Sequence, residues 1–154
     1  MAHLIPDDPI IRYFYTEPLG TIGDKRNYAC MKSCGEIIMH WDDDDWYAPD
    51  WISRQVNALS VSGAQISGLN TIIIFSTATN RKWIYEDLEG DKPWICGATF
   101  AYEKSLWERY HFSSLQVGED YDFLCNSGAI TYALDYPEGF MVTLHQGNTS
   151  IRPY

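Results

Sequence analysis

Four adjacent aspartates, Asp42, Asp43, Asp44 and Asp45, are the densest chemistry in the sequence. Neighbouring carboxylates repel one another, so the run costs stability unless solvent or a counter-ion neutralises it. It follows directly on the apolar run EIIMHW at residues 36–41, which reads as a buried strand. A solvated, decorative charge run has no reason to begin where a buried strand ends. A hard divalent cation, oxygen-liganded and completed by phosphate oxygens, answers both points. The alternating ligand spacing, central glycine and terminal glutamate of an EF-hand loop are absent.

Other residues carry chemistry less specifically. Glu119 and Asp120 open a segment that reads as a helix. There they either complement the helix dipole or, in the case of Asp120, serve as a general base. His145 ends an apolar strand and precedes Gly147 and Asn148; such a histidine is structural or a metal ligand, and imidazole suits Mn²⁺ better than Mg²⁺. Lys25 and Arg26 stand at a helix N-terminus, where exposed N–H groups favour anions. Gly97 permits close backbone approach to a ligand or simply makes a turn. Trp41, Trp46, Tyr47 and Trp94 flank these positions and suit stacking on a sugar or a base, with core packing the expected role of Trp41.

The elements that must position these residues follow from patterning. A strand-like run spans residues 10–15, and Asp24 is placed to cap a helix over residues 25–34 that Gly35 stops. After the aspartates, Pro49 and Asp50 start a helix from Trp51 to about Val61, closed by Ser62 and Gly63. Strands are expected at 71–76, 81–85, 98–102, 130–134 and 140–144, an acidic turn at 86–91, and helices at 104–110 and 119–125. This order predicts a three-layer α/β/α domain with a mixed sheet, in which ligands bind beyond the carboxyl ends of strands. The aspartates lie at such an end.

Composition bounds the rest. The 154 residues suit one domain, 1–154, and 45% apolar against 21% charged residues is a globular balance. Eleven basic and 21 acidic residues leave a net charge of −10, which argues against a nucleic-acid partner. Aromatics reach 15%, a level met in carbohydrate-handling proteins and in aromatic-rich cores. Cys30, Cys34, Cys96 and Cys125 fit neither a disulfide framework nor a zinc pattern, and read as buried free thiols in a reducing cytoplasm. A secretion signal and a membrane-spanning run are not recognisable, so the expected place is cytoplasmic or peripheral at the inner face of the membrane.

Taken in order, several blocks resemble family 2 glycosyltransferases, which have the GT-A fold and use nucleotide-sugar donors. They are Gly23-Asp24-Lys25-Arg26-Asn27, Gly35-Glu36-Ile37-Ile38, and the acid run with Trp46-Tyr47-Ala48-Pro49-Asp50. Further on come Trp94-Ile95-Cys96-Gly97-Ala98-Thr99, Gly118-Glu119-Asp120 and His145-Gln146-Gly147-Asn148-Thr149-Ser150. The resemblance covers residues 5 to 150.

It implies a metal-dependent, hexosyltransferase-like enzyme that moves a sugar from a nucleoside-diphosphate sugar, most simply a UDP-sugar, to a glycan or other hydroxyl acceptor with inversion. Asp44 then corresponds to the metal-holding carboxylate of the DxD motif, with His145 completing the shell around Mn²⁺ or Mg²⁺. Asp42, Asp43, Lys25, Arg26 and Gly97 fall on the donor side, Asp120 is the base, and Glu119 and Trp94 face the acceptor. The family's opening strand with a Pro-Thr motif, the helix after it and a second strand ending in an acidic turn have no counterpart here. The expectation is therefore an N-terminally truncated GT-A-like domain. Its bared sheet edge invites self-association, and a non-catalytic nucleotide-, metal- or glycan-binding relative is the alternative.

Overall fold

The computed structural model describes residues 8–17, 19–86 and 94–148. Helix α1 (Ile22–Lys32) begins one turn earlier than the sequence suggests. Thr21, in extended backbone, is the N-cap, and Asp24 closes a capping box from the third helical position. The Thr21 hydroxyl accepts from the Asp24 N–H at 3.3 Å, and the Asp24 carboxylate accepts the Thr21 N–H at 2.8 Å. Ser33, whose N–H reaches the Ala29 and Cys30 carbonyls, ends the helix before Gly35 is reached. Residues 10–15 form no strand: Asp8 turns the chain by accepting the Ile10 and Ile11 N–H groups, and Arg12 donates to the Lys32 carbonyl at 2.8 Å.

Strand β1 (Ile37–Met39) leads into the aspartates, and the short β2 (Trp46–Tyr47) leaves them. Helix α2 (Trp51–Ser62) follows and ends at Gly63, whose φ of 68° is the left-handed conformation expected of such a stop. Next come β3 (Ile66–Gly68), β4 (Thr71–Ser76) and β5 (Arg81–Glu86). The expected acidic turn beyond Glu86 lies outside the described residues. A 3-10 turn (Gly97–Thr99) displaces the start of the next strand, β6, to Ala101–Glu103. Thr99 holds that turn, its N–H and hydroxyl both donating to the Cys96 carbonyl. Helices α3 (Lys104–Arg109) and α4 (Glu119–Asn126) and strands β7 (Thr131–Ala133) and β8 (Phe140–Leu144) complete the order.

The class is α/β with mixed pairing, as the alternation of elements implies, and the strands divide between two four-stranded sheets. One has the order β1-β6-β3-β7, the other β2-β8-β4-β5. In the first, β6 is antiparallel to both β1 and β3, while β3 runs parallel to β7. In the second, β4 is parallel to β8 and antiparallel to β5. Each sheet has its own apolar core. Ile38, Ile66, Phe100, Tyr102, Phe112 and Phe123 pack with α1, α3 and α4 against the first. Tyr47, Trp51, Leu69, Ile72, Ile74 and Phe140 fill the second. The chain passes between the sheets several times, and the residues between β1 and β2, the four aspartates among them, are the first of these links.

All four cysteines are free; Cys30 and Cys96 are buried, but Cys34 is exposed, against the expectation that all are buried. Cys34 follows the last turn of α1, on the solvent side of the segment that ends the helix. Among the described residues, no helix is long and apolar enough to cross a membrane.

Candidate active site

A cavity of about 1120 Å³ opens at the carboxyl end of β1. Asp42, Asp43, Asp44 and Asp45 line it together with Lys25 and Arg26 of α1, Trp94, Gly97, and Glu119 and Asp120 of α4. Residues as far apart in sequence as Lys25 and Asp120 thus meet around one space.

The acids are held differently from one another. The Asp42 N–H donates to Tyr47 Oη at 2.9 Å, and that hydroxyl donates to the Ala98 carbonyl at 3.1 Å. Burial pushes the Asp42 carboxyl above its usual range; Arg26 opposes this, and Asp44, Asp43 and Asp120 add to it. Burial likewise keeps the Tyr47 phenol protonated far above its ordinary range, so it remains a donor to Ala98. Asp45 turns to the second sheet, where its Oδ1 accepts the Thr143 N–H at 2.9 Å. Asp43 and Asp44 are exposed to the cavity.

Asp44 Oδ2 meets His145 Nε2 at 2.9 Å and Asn148 Nδ2 at 3.2 Å. His145 Nδ1 accepts the Gly147 N–H at 3.0 Å, which assigns the ring proton to Nε2 and makes Nε2 the donor to Asp44. The donor set therefore suits a hard cation at Asp44, an exposed carboxylate facing the cavity, with His145 and Asn148 orienting it from behind. Among the described residues, no three His, Cys, Asp or Glu side chains converge as a closed ligand cluster. Thr149 and Ser150, the end of the His145 block, lie outside the described residues.

Asp120 is half-buried at the first turn of α4, where its Oδ1 accepts the Tyr121 N–H at 2.8 Å. Its carboxylate leans on Gly97. A Cβ on that glycine would come within 2.5 Å of the Asp120 Cβ and 2.7 Å of its Cγ. The space Gly97 leaves is filled by Asp120, where the sequence suggested close approach to a sugar. Glu119 is turned inward, and its Oε1 accepts from Arg26 Nε at 2.9 Å, with side-chain exposures of 5% and 17%. Lys25 is exposed at the rim, and Trp94 lies edge-on to Tyr85 with ring centroids 5.5 Å apart.

Trp41 corrects the expectation of core packing. It is 53% exposed, and one face stacks on Tyr47 at 4.1 Å. Buried Ile38 and His40 lie two residues apart, on one face of the run leaving β1, so Trp41 belongs to the other.

Sequence reasoning passed over His40. It is 7% exposed, with Nδ1 2.7 Å from Arg26 Nη1 and 2.6 Å from the Gly97 carbonyl. Its Nε2 lies 3.2 Å from Tyr102 Oη. The two-residue period of the strand was the available signal, since it puts His40 on the face of Ile38.

The family model of glycosyl transferase family 2 matches residues 1–131, a span that holds the aspartates and Asp120 but not His145. No curated protein matches the chain in sequence. Among solved structures, TarS 1-349 of S. aureus in complex with UDP-GlcNAc matches with a TM-score of 0.62 at 17% identity, covering 84% of this chain and 41% of that one. The crystal structure of TarS 1-349 alone gives a TM-score of 0.62 at 17% identity, with coverages of 80% and 40%. The chain thus spans about two fifths of the length of these structures, and at such identity the likeness is one of fold. With the family model covering most of its length, the chain belongs to glycosyl transferase family 2.

Proposed function

We propose that this domain is a metal-dependent glycosyltransferase, moving a sugar from a nucleoside-diphosphate sugar to a hydroxyl acceptor with inversion. The observation that carries this reading is the meeting of the acid run, Arg26 and Asp120 around one cavity. A UDP-sugar is the donor best supported, because TarS, which shares the fold, is seen with UDP-GlcNAc.

Asp44 would hold the divalent cation, Mn²⁺ or Mg²⁺, with His145 fixing its carboxylate. The cation supplies neutralisation of the charge that develops on the leaving diphosphate. Asp42, Asp43 and Lys25, which line the cavity, are assigned to the donor, and Glu119, expected on the acceptor side, is assigned instead to holding Arg26, with which it is paired. Asp120 accepts the acceptor hydroxyl's proton as that oxygen bonds to the anomeric carbon. The bond from that carbon to the diphosphate breaks in the same step, and the diphosphate leaves with the electron pair. One direct displacement inverts the centre. Trp94, which also lines the cavity, is assigned to the acceptor, a glycan or another hydroxyl compound.

The deciding assay is release of nucleoside diphosphate from a donor panel in the presence of Mn²⁺. Wild type is expected to turn over at least one donor, with Asp44→Asn and Asp120→Asn each strongly impaired. Turnover untouched by both substitutions would overturn the roles given to them.

The second reading is a domain that binds donor without turnover. Calorimetry with uridine diphosphate and Mn²⁺ separates the two when no donor turns over. Self-association is proposed on the same grounds as for any sheet edge: among the described residues β1 ends the order of its sheet, and its outer side would offer pairing to a second copy.

A further inference from the structure

His40 is a buried titratable group that the proposed reaction does not use. It sits beneath the cavity, between Arg26 and the Gly97 carbonyl. Phe100 stacks against the imidazole at 5.5 Å, Phe112 lies tilted at 5.5 Å, and Tyr102 meets it edge-on. The ring cannot turn without disturbing three aromatic neighbours. Its Nε2 joins a chain through Tyr102 Oη, which lies 3.2 Å from Cys30 Sγ.

Arg26 is held from three sides. Its Nε donates to Glu119, its Nη1 reaches His40 Nδ1, and its guanidinium carbon lies 5.9 Å over the Phe112 ring. A guanidinium carries five N–H donors in one plane. Two are committed here, and the plane is fixed by those bonds and the ring beneath. Among the described residues, the Nη2 amino group has no partner, and Arg26 lines the cavity. The remaining edge is therefore a preorganised donor pair aimed at an anion.

The imidazole must be neutral for this. With its proton on Nε2 the ring donates to Tyr102 Oη and leaves Nδ1 to accept from Arg26, whereas a proton on Nδ1 would go to the Gly97 carbonyl at 2.6 Å; the lock on Arg26 requires the first tautomer. An imidazolium would have no lone pair for Arg26 and would set two cations in contact. Burial, then the charge of Arg26, hold the ring well below its usual proton affinity, while the Gly97 carbonyl pulls the other way. The charged groups around this cluster are Arg26 from α1, Glu119 from α4 behind it, and Asp42 beyond β1. Tyr102 and Cys30 are the titratable neighbours on the far side.

We propose that His40 is a positioning residue: together with Glu119 it locks the Arg26 guanidinium so that its free Nη2 edge grips a diphosphate oxygen. This rests on the donor-site reading above for the identity of the anion.

The test is calorimetric titration of the full chain with inorganic pyrophosphate at fixed Mg²⁺, which needs no turnover. Arg26→Ala and His40→Leu are each expected to weaken binding by about tenfold or more, as loss of a charge-assisted bond does. The double variant is expected to bind no more weakly than Arg26→Ala alone. His40→Asn, which places an amide near the Nδ1 position, should restore most of the affinity. His40→Gln, whose amide reaches the Nε2 position, should not. A merely structural histidine would leave the Asn and Gln variants alike, and that result overturns the proposal. So would additive losses, wild-type affinity in His40→Leu beside a weakened Arg26→Ala, or no pyrophosphate binding by wild type. If His40→Leu does not fold, the Asn–Gln contrast alone decides. A protein that follows this binding pattern yet releases no nucleoside diphosphate from any donor would refute the transferase reading and leave the clamp standing.

Discussion

Gly97→Ala is expected to cost about as much turnover as removing the Asp120 carboxylate, about a hundredfold or more, the range of a lost general base. The added methyl has nowhere to go. It would lie within 2.5 Å of the Asp120 Cβ, and both residues are fixed by backbone: Gly97 by the 3-10 turn, Asp120 by α4. Gly97 shows no unusual φ, so the demand is one of space and not of conformation. Relief must come from Asp120 swinging toward solvent or from a shift of α4, and either takes the carboxylate away from the acceptor hydroxyl. Steady-state kinetics should show kcat reduced with the donor KM nearly unchanged if Asp120 alone swings out, and a raised donor KM as well if α4 shifts, because Glu119 on that helix holds Arg26. A Tm close to wild type would confirm that the loss is local. Full activity in Gly97→Ala would mean that Asp120 is not the base in this position.

Stability should fall as pH drops below about 6.5, well before carboxylates titrate, with His40 as the cause. Its folded-state proton affinity is depressed by burial and by Arg26, from an ordinary value of 6.5. Below that pH the unfolded chain takes up a proton that the folded chain refuses. The stability is therefore complete above 6.5 and drains as the pH falls. One proton's difference gives a slope of about 1.4 kcal/mol per pH unit. Asp42 works in the opposite sense, since burial raises its carboxyl and the folded state gains from protonating it, but only as pH approaches the carboxylate range. Asp24 and Asp122 have lowered proton affinities from their hydrogen bonds, so their contribution is lost at still lower pH, below 3.8. Chemical denaturation from pH 7.5 to 5 should reveal the slope in wild type and a flat profile in His40→Asn. A sloping profile in that variant would assign the effect elsewhere.

What could be read from the chain beforehand was whatever is local. Helix α2 carries its own signals, Pro49 before it and Gly63 after it, and β4 alternates buried and half-buried residues along its length. The aspartates announced a site because they are contiguous. β3 escaped notice because all three of its residues are buried, so it has no alternation to detect. β2 is two residues long. Residues 10–15 misled for the reverse reason: their side chains favour strands, yet among the described residues no strand pairs with them. At the site, the acids and Asp120 were legible through the family blocks, whereas the support beneath them was not. Arg26 finds Glu119 at a separation of 93 residues and His40 at 14, distances over which no sequence pattern speaks. Gly97 was singled out for smallness, and the neighbour that needs that smallness here is Asp120, brought to it by α4.

The passage of the chain from one sheet to the other through the aspartates has a mechanical consequence. Asp42 is held by Tyr47 and Ala98, and Asp45 by β8, all of the second core, while Arg26 and Glu119 on the facing wall of the cavity come from α1 and α4, which pack on the first. Whatever fills the cavity is thereby gripped by both halves and acts as a splint across their seam. The loaded domain is thus expected to be braced across that seam in a way the empty one is not, stiffening as it takes up its load and loosening as it lets go.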